Sequence, residues 1–294
     1  MCIIGSIILL AALAALLIGL LGTNKNQTTS TSATTTTVTT TTMTTTTSKC
    51  IILKIYILNK VCLLYCWIGT TTTPYYCGQS CLNQTWSDSS GDLAYWQFEG
   101  TYNDSFNTYN AIESLKLPSF VTGYLGQAVS FNQSANQAMY TPFIPLNDNS
   151  FTIEAWIKVT GYPNPSDHSL VGLCPSQTTN YCLHFNLRQK KLYFGFYYND
   201  ISGSTQVPLN QWVHVACTYD KTIKQQTVYL NGYQDGQGTV SSNLLVQSGN
   251  FTIGTNEGVV IPNNYYQGYM DDLLINYRPK SSCEILERAT LAAR

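Results

Sequence analysis

Residues 85–294 of this 294-residue chain predict an all-β fold, a two-sheet antiparallel jelly-roll sandwich with one short C-terminal helix. Three observations carry this. From Asp92 onward the apolar residues alternate or run in short stretches bounded by Gly, Asn, Pro or Ser, which is strand punctuation. Asn231-Gly232 lies between Thr227-Val228-Tyr229-Leu230 and Tyr233, and Asn-Gly supplies the two positive-φ residues of a tight hairpin turn. One segment reads as a helix: Ser281-Ser282 ahead of Cys283-Glu284-Ile285-Leu286, with Glu284 three residues past Ser281 as in a capping box.

The strands expected, in order, are Leu93–Glu99, Gln127–Phe131, Ala138–Phe143, Phe151–Val159, Leu170–Cys174, Cys182–Leu187, Lys191–Tyr198, Trp212–Tyr219, Gln226–Leu230, Asn250–Gly254 and Gly268–Tyr277. Eleven strands and one helix favour a sandwich or jelly roll over an α/β fold. In Phe151–Val159 the two-residue period puts Phe151, Ile153, Ala155, Ile157 and Val159 on one face, suited to the space between sheets. Thr152, Glu154, Trp156 and Lys158 fall on the other. Trp156 then either lines a groove or lies under a loop.

Ahead of this region the chain changes character. Cys2–Leu21 carries no charge and is long enough to span a bilayer, so residues 1–22 are expected to be a transmembrane signal-anchor or a cleaved signal peptide. In Thr28–Ser48, 15 of 21 residues are Thr, a composition that cannot bury a core and that offers hydroxyls for O-glycosylation; residues 23–49 are expected to be an unstructured stalk. Residues 50–69 interrupt it with an apolar stretch holding Lys54, Asn59 and Lys60, read as an anomalous insert or a membrane-lying segment, and residues 70–84 as a linker.

The N-terminal features place the remainder outside the cytosol. Cys77, Cys81, Cys174, Cys182, Cys217 and Cys283 are an even set in an oxidising compartment, which permits disulfides without dictating their connectivity. Cys174 and Cys182 flank a turn-like stretch between two apolar runs and are expected to staple a hairpin, while Cys217 reads as a buried thiol. Sequons stand at Asn26, Asn83, Asn103, Asn132 and Asn250. The net charge of −1 and the low share of charged residues, 11%, give no basic stripe for nucleic acid.

Three stretches in order, Leu93-Ala-Tyr-Trp-Gln-Phe-Glu-Gly100 with Gly126-Gln-Ala-Val-Ser-Phe131, then Phe151–Val159, then Trp212–Asp220 through Gly268–Leu286, resemble the laminin-G-like members of the concanavalin-A-like jelly-roll superfamily. The resemblance covers about Leu93 to Leu291 and implies the same fold. It implies a structural role for His214, in mid-strand. It also implies a possible structural Ca²⁺ between the first and last strands, with Glu99 and Asp271 or Asp272 at the matching positions and backbone carbonyls completing the shell. Hydrolases of the superfamily carry carboxylates at alternate positions of one strand; here Glu154 stands alone on its strand and Asp271-Asp272 are adjacent, so they diverge.

These readings lead to a membrane-tethered extracellular module that binds carbohydrate or a glycoprotein and is not an enzyme. The rim loops Pro262–Gln267 and Gly161–Pro165, rich in Tyr, Asn and Gln, are the expected contact region. A structural or adhesive surface protein acting through protein contacts is the alternative, and a degenerate glycoside hydrolase a third reading.

Overall fold

The computed structural model describes residues 38–45, 48–57 and 60–63 by their backbone, and residues 89–111, 116–163, 167–258 and 264–290 in full. The expected N-terminal span, the linker, Asn26, Asn83, Cys77 and Cys81 lie outside the described residues. The chain divides into two compact units, Met1–Gly78 and Gln79–Arg294.

In the first unit, strands β1 (Val38–Thr45), β2 (Ser48–Ile57) and β3 (Lys60–Leu63) form an antiparallel sheet in that order. Part of the stretch expected to be an unstructured stalk is therefore a strand, paired from Val38↔Ile55 to Met43↔Cys50 with the apolar segment expected to be an insert and, at Thr44↔Lys49 and Thr45↔Ser48, with the end of the stalk itself. The physical reason is local: threonine is β-branched and stiff, and fits a pleated ribbon even where it cannot build a core.

The second unit is the sandwich. Its eight-stranded sheet runs β15-β14-β13-β8-β17-β6-β5, with β4 also paired to β17. These strands are β4 (Asp92–Trp96), β5 (Ser119–Thr122), β6 (Gln127–Phe131), β8 (Phe151–Val159), β13 (Trp212–Asp220), β14 (Gln225–Leu230), β15 (Tyr233–Thr239) and β17 (Gly268–Asn276). The six-stranded sheet runs β12-β11-β10-β9-β16-β7. It is built from β7 (Met139–Thr141), β9 (His168–Leu173), β10 (Leu183–Arg188), β11 (Lys191–Gly195), β12 (Asp200–Gln206) and β16 (Phe251–Ile253). All eleven expected strands are present, Gln127–Phe131 and Phe151–Val159 with the expected ends and the other nine with shifted ones. Three others were not expected: β5, β12 and β15. Each ends a sheet, and an edge strand buries too little to need apolar alternation.

The interior faces close on each other through aromatic contacts between the layers. Trp96 stacks parallel to Phe251 at 6.3 Å, Phe151 meets Phe194 edge-on at 6.2 Å, and Phe196 meets Tyr219 at 4.9 Å. Rings packed in this way add to the area they bury. A cavity of about 10 Å³ lies between Ile157, Leu170, Phe185, Val215 and Met270, room for one water at most. The interlayer space is thus a packed core and not a ligand chamber.

Helix α1 (Ser282–Thr290) starts as its sequence indicates. Ser281 Oγ accepts from Glu284 N at 3.4 Å while Glu284 Oε2 accepts from Ser281 N at 2.8 Å. Arg278 Nη1, 2.5 Å from Glu284 Oε1, ties the cap to the end of β17. The helix lies on the outer face of the eight-stranded sheet, where Ile285 packs on Ala216 and Tyr229.

Candidate functional site

Of the three acids expected to hold calcium, Asp271 and Glu99 reach one turn and Asp272 turns away from it. β17 carries a bulge between Asp271 and Leu274, with Asp272 at φ +52°, so the adjacent carboxylates leave in different directions. Asp272 accepts a hydrogen bond from Tyr95 Oη. Burial first, then this contact, push the Tyr95 hydroxyl to about 12. Asp271 is fully buried; its Oδ2 accepts from Leu125 N at 2.9 Å, and its Oδ1 has no hydrogen-bond partner. Burial lifts its pKa to about 7, with the Asp272 charge adding to the rise. Glu99 accepts Gln127 N on both oxygens at 3.1 Å. Asp271 and Glu99 thus meet the same turn, Gly123–Gly126, and its glycines leave the room. A Cβ on Gly123 would stand 2.5 Å from Asp271 Oδ2, and one on Gly126, at φ +60°, would collide with Glu99 Oε1. Among the described residues no group of three His, Cys, Asp or Glu side chains is arranged to hold a metal.

The outer face of the eight-stranded sheet is closed. Tyr124, from the same turn, stacks on Trp156 at 3.5 Å and 12°, leaving Trp156 7% exposed. A loop covers this tryptophan, so it lines no groove. Two residues along β8, Glu154 is buried among basic side chains: Lys280 Nζ at 2.5 Å, His214 Nε2 at 3.4 Å and Arg288 Nε at 3.6 Å. Burial alone would raise its pKa, but His214, Lys280 and Arg288 hold the carboxyl near 2. His214 is wholly buried here, which agrees with a structural place in mid-strand.

The outer face of the six-stranded sheet is different. On β10, Leu183, Phe185 and Leu187 point inward, so His184, Asn186 and Arg188 point out. Register aligns Tyr193 of β11 with Asn186, and Ser169 of β9 with Asn186 on the other side. His184 stacks on the Tyr193 ring at 5.4 Å and 7°, and the Arg188 guanidinium sits 3.6 Å from the same ring centre. Tyr193 Oη donates to Asp200 Oδ2 at 2.9 Å, and His184 Nε2 lies 3.2 Å from Asp200 Oδ1. Arg188 grips Asp167 in bidentate fashion, Nε to Oδ1 at 2.7 Å and Nη2 to Oδ2 at 2.6 Å, and Asn186 Nδ2 donates to Asp167 at 3.2 Å. Burial followed by the Asp200 charge pushes the Tyr193 hydroxyl to about 12, and the Asp167 hydrogen bond raises Arg188. Beside this cluster Asn256 lies over Gly172, where a Cβ would come within 2.7 Å of its side chain.

The rim loops expected to contact a ligand are partly structural instead. Tyr266 is fully buried, edge-on to Phe131 at 5.9 Å, and Asn264 donates to Asn256 O at 2.7 Å. Gln267 bridges Thr160 and Gln133 N, and Tyr162 donates to Val207 O at 3.2 Å. Residues 164–166 and 259–263 of these loops lie outside the described residues. The signal that could have found the polar face is the run Leu183-His-Phe-Asn-Leu-Arg188, whose outward positions are all polar although the strand is central.

Cys174 and Cys182 form a disulfide across the β9–β10 connection, Cys283 is disulfide-bonded, and Cys217 is a free buried thiol whose pKa burial pushes up. Asn103, Asn132 and Asn250 are all exposed.

The two apposed antiparallel sheets define a jelly-roll sandwich. The chain belongs to the concanavalin A-like lectin/glucanases superfamily, whose laminin-G-like family model matches residues 132–286. Among solved structures it is similar to domain 4 of AbnA, a GH43 extracellular arabinanase from Geobacillus stearothermophilus in complex with arabinotriose. That likeness has TM-score 0.55 and 18% identity, over 68% of this chain and 98% of that one. It is also similar to the binding domain of Paraclostridial Mosquitocidal Protein 1, at TM-score 0.55, 16% identity, 67% of this chain and 51% of that one. The binding domain of Botulinum Neurotoxin DC in complex with SialylT gives TM-score 0.52, 13% identity, 68% and 51%. The chain spans about half the length of these toxin domains. No curated protein matches the sequence.

Proposed function

We propose that this chain is a non-catalytic carbohydrate-binding module held outside the cell, and that it takes its glycan on the outer face of the six-stranded sheet. The observation that carries the reading is the cluster of His184, Asn186, Arg188, Tyr193 and Asp200, a pre-ordered set of amide, hydroxyl and aromatic groups on rigid strands. Two of the similar structures hold saccharides, arabinotriose and SialylT, which supports the ligand class by analogy of fold. The absence of catalysis is supported by the acids: Glu154 is matched by Lys280, and Asp271 and Asp272 diverge, so neither forms the facing pair that glycoside hydrolysis needs. An exterior location is supported by the Cys174–Cys182 bond, since disulfides persist in oxidising compartments. A tether through Cys2–Leu21 belongs to the same proposal.

The test is a glycan array probed with the full chain. Binding of a saccharide set, lost on Tyr193→Ala, is the expected result; an array blank at high protein concentration refutes the reading.

A structural Ca²⁺ at the Gly123–Gly126 turn is the second part of the proposal. The unpartnered, buried Asp271 Oδ1 is what suits the site to a cation, with Glu99 on the same turn and backbone carbonyls as further hard oxygen ligands. Asp272 is not among the ligands, because Tyr95 holds it. The ion would fix the turn that carries Tyr124 onto Trp156.

A further inference from the structure

The polar face contains two kinds of group, and they divide cleanly. The buried ionisable groups stand in closed pairs, while Lys191, in register with Arg188 at the part-exposed rim, has no ion pair among the described residues. Arg188 is held by Asp167 through two hydrogen bonds, and His184 by Asp200 at 3.2 Å. The buried atoms of this face that make neither a hydrogen bond nor an ion pair belong to uncharged side chains. Ser169 Oγ, Asn186 Oδ1 and both polar atoms of the Asn256 side chain make no hydrogen bond. Ser169 is wholly buried, and Asn186 and Asn256 are each 2% exposed. A buried polar atom left unpaired costs free energy, so such atoms gathered on one face mark a place where a partner is supplied from outside.

We infer that these three residues read the hydroxyl groups of a neutral saccharide, and that the charged pairs around them hold the geometry without contacting a ligand charge; this rests on the glycan-binding reading above. Ser169 and Asn186 face each other across the β9–β10 register, and Asn256 lies over Gly172, which pairs with His184 one step further along the same two strands. Between them they offer a hydroxyl, which both donates and accepts, an amide oxygen and a complete amide. That set suits sugar hydroxyls, each of which donates and accepts in turn. An acidic sugar would need an unmatched cation at this depth. Arg188, itself part-exposed, is already committed to Asp167, and moving it would leave a buried carboxylate unpaired, while Lys191 stands at the rim and not at this depth. Because the three groups are nearly inaccessible, the saccharide inserts a hydroxyl or hydroxymethyl group end-on, with the part-exposed Tyr193 and Arg188 forming the wall beside it.

The experiment titrates the full chain with neutral glycans, arabinotriose among them, and with sialylated glycans, at low and at high salt. Ser169→Ala and Asn256→Leu are tested beside the parent. The inference expects neutral glycans to bind with an affinity unchanged by salt. It also expects each variant to lose tenfold or more in affinity while its melting temperature stays level or rises. Removing an unpartnered polar atom does not weaken the fold, so this pairing of lost binding with kept stability is one that a merely structural role would not give. Binding of sialylated glycans alone, weakened by salt, would overturn the inference and leave the module a lectin. Neutral binding untouched by both variants would also overturn it, placing the site elsewhere. No binding of any glycan would remove the glycan-binding reading itself, a separate outcome.

Discussion

Lys280, two residues before helix α1, places its Nζ 2.5 Å from Oε1 of Glu154 on the central strand β8, and this buried pair fastens the C-terminal helix to the sheet. His214 and Arg288 complete the ring of basic side chains around the same carboxylate. Breaking one side of a buried pair leaves the other charge uncompensated. Lys280→Met is therefore expected to cost about 3 kcal/mol of stability in urea unfolding. Combining it with Glu154→Leu should cost less than the sum of the two single changes, since neither charge is then stranded.

The same carboxylate sets the acid limit of the fold. Its folded pKa is near 2 against an ordinary 4.5, so its contribution is present above 4.5 and is lost as pH falls toward 2. Thermal melts between pH 5 and pH 2 should show a falling midpoint. In Glu154→Gln the fall should be shallower over that window, from a lower starting stability.

The calcium proposal is checked by melting the full chain with a chelator and with added Ca²⁺. Calcium is expected to raise the midpoint, and Asp271→Asn to remove the response; an identical midpoint in both conditions counts against the ion. Gly126→Ala, at φ +60° and against Glu99, should destabilise by about 1–2 kcal/mol and weaken the calcium response as well.

The staple between Cys174 and Cys182 closes a short loop, eight residues apart in sequence. On the chain-entropy account its removal by Cys174→Ser with Cys182→Ser costs about 2.5 kcal/mol. Because Cys182 lies two residues before His184 on β10, glycan affinity should fall with it, measurable by titration of the double variant.

Ser281→Ala removes the reciprocal cap of helix α1 and should cost about 1 kcal/mol. The effect should add to that of Lys280→Met less than fully, because both act on the same docked helix.

Much of the sandwich is legible in the sequence because central strands and caps obey local rules. The two-residue period of Phe151–Val159 gives its inward face, Asn231-Gly232 gives its hairpin, and Ser281 with Glu284 gives the helix start; each depends on residues close in the chain. The cysteine pair at 174 and 182 is legible for the same reason. The edge strands β5, β12 and β15 are not, since a strand with one neighbour and a wet face has no pattern to keep. The candidate face is hidden for another reason. Ser169, Asn186, Tyr193 and Asn256 come from four different segments, and nothing in any one of them says that the others stand beside it.

By itself the sequence determined the fold class, the inside and outside of the central strand Phe151–Val159, and the family. Only the tertiary structure decided which outward faces are spent. It showed Trp156 under Tyr124, Glu154 under α1 and Tyr266 inside the core, while neutral groups on the six-stranded sheet are left without partners. The reason is that alternation is a property of one strand, whereas satisfaction of a polar group depends on what long-range pairing brings to within 3 Å of it.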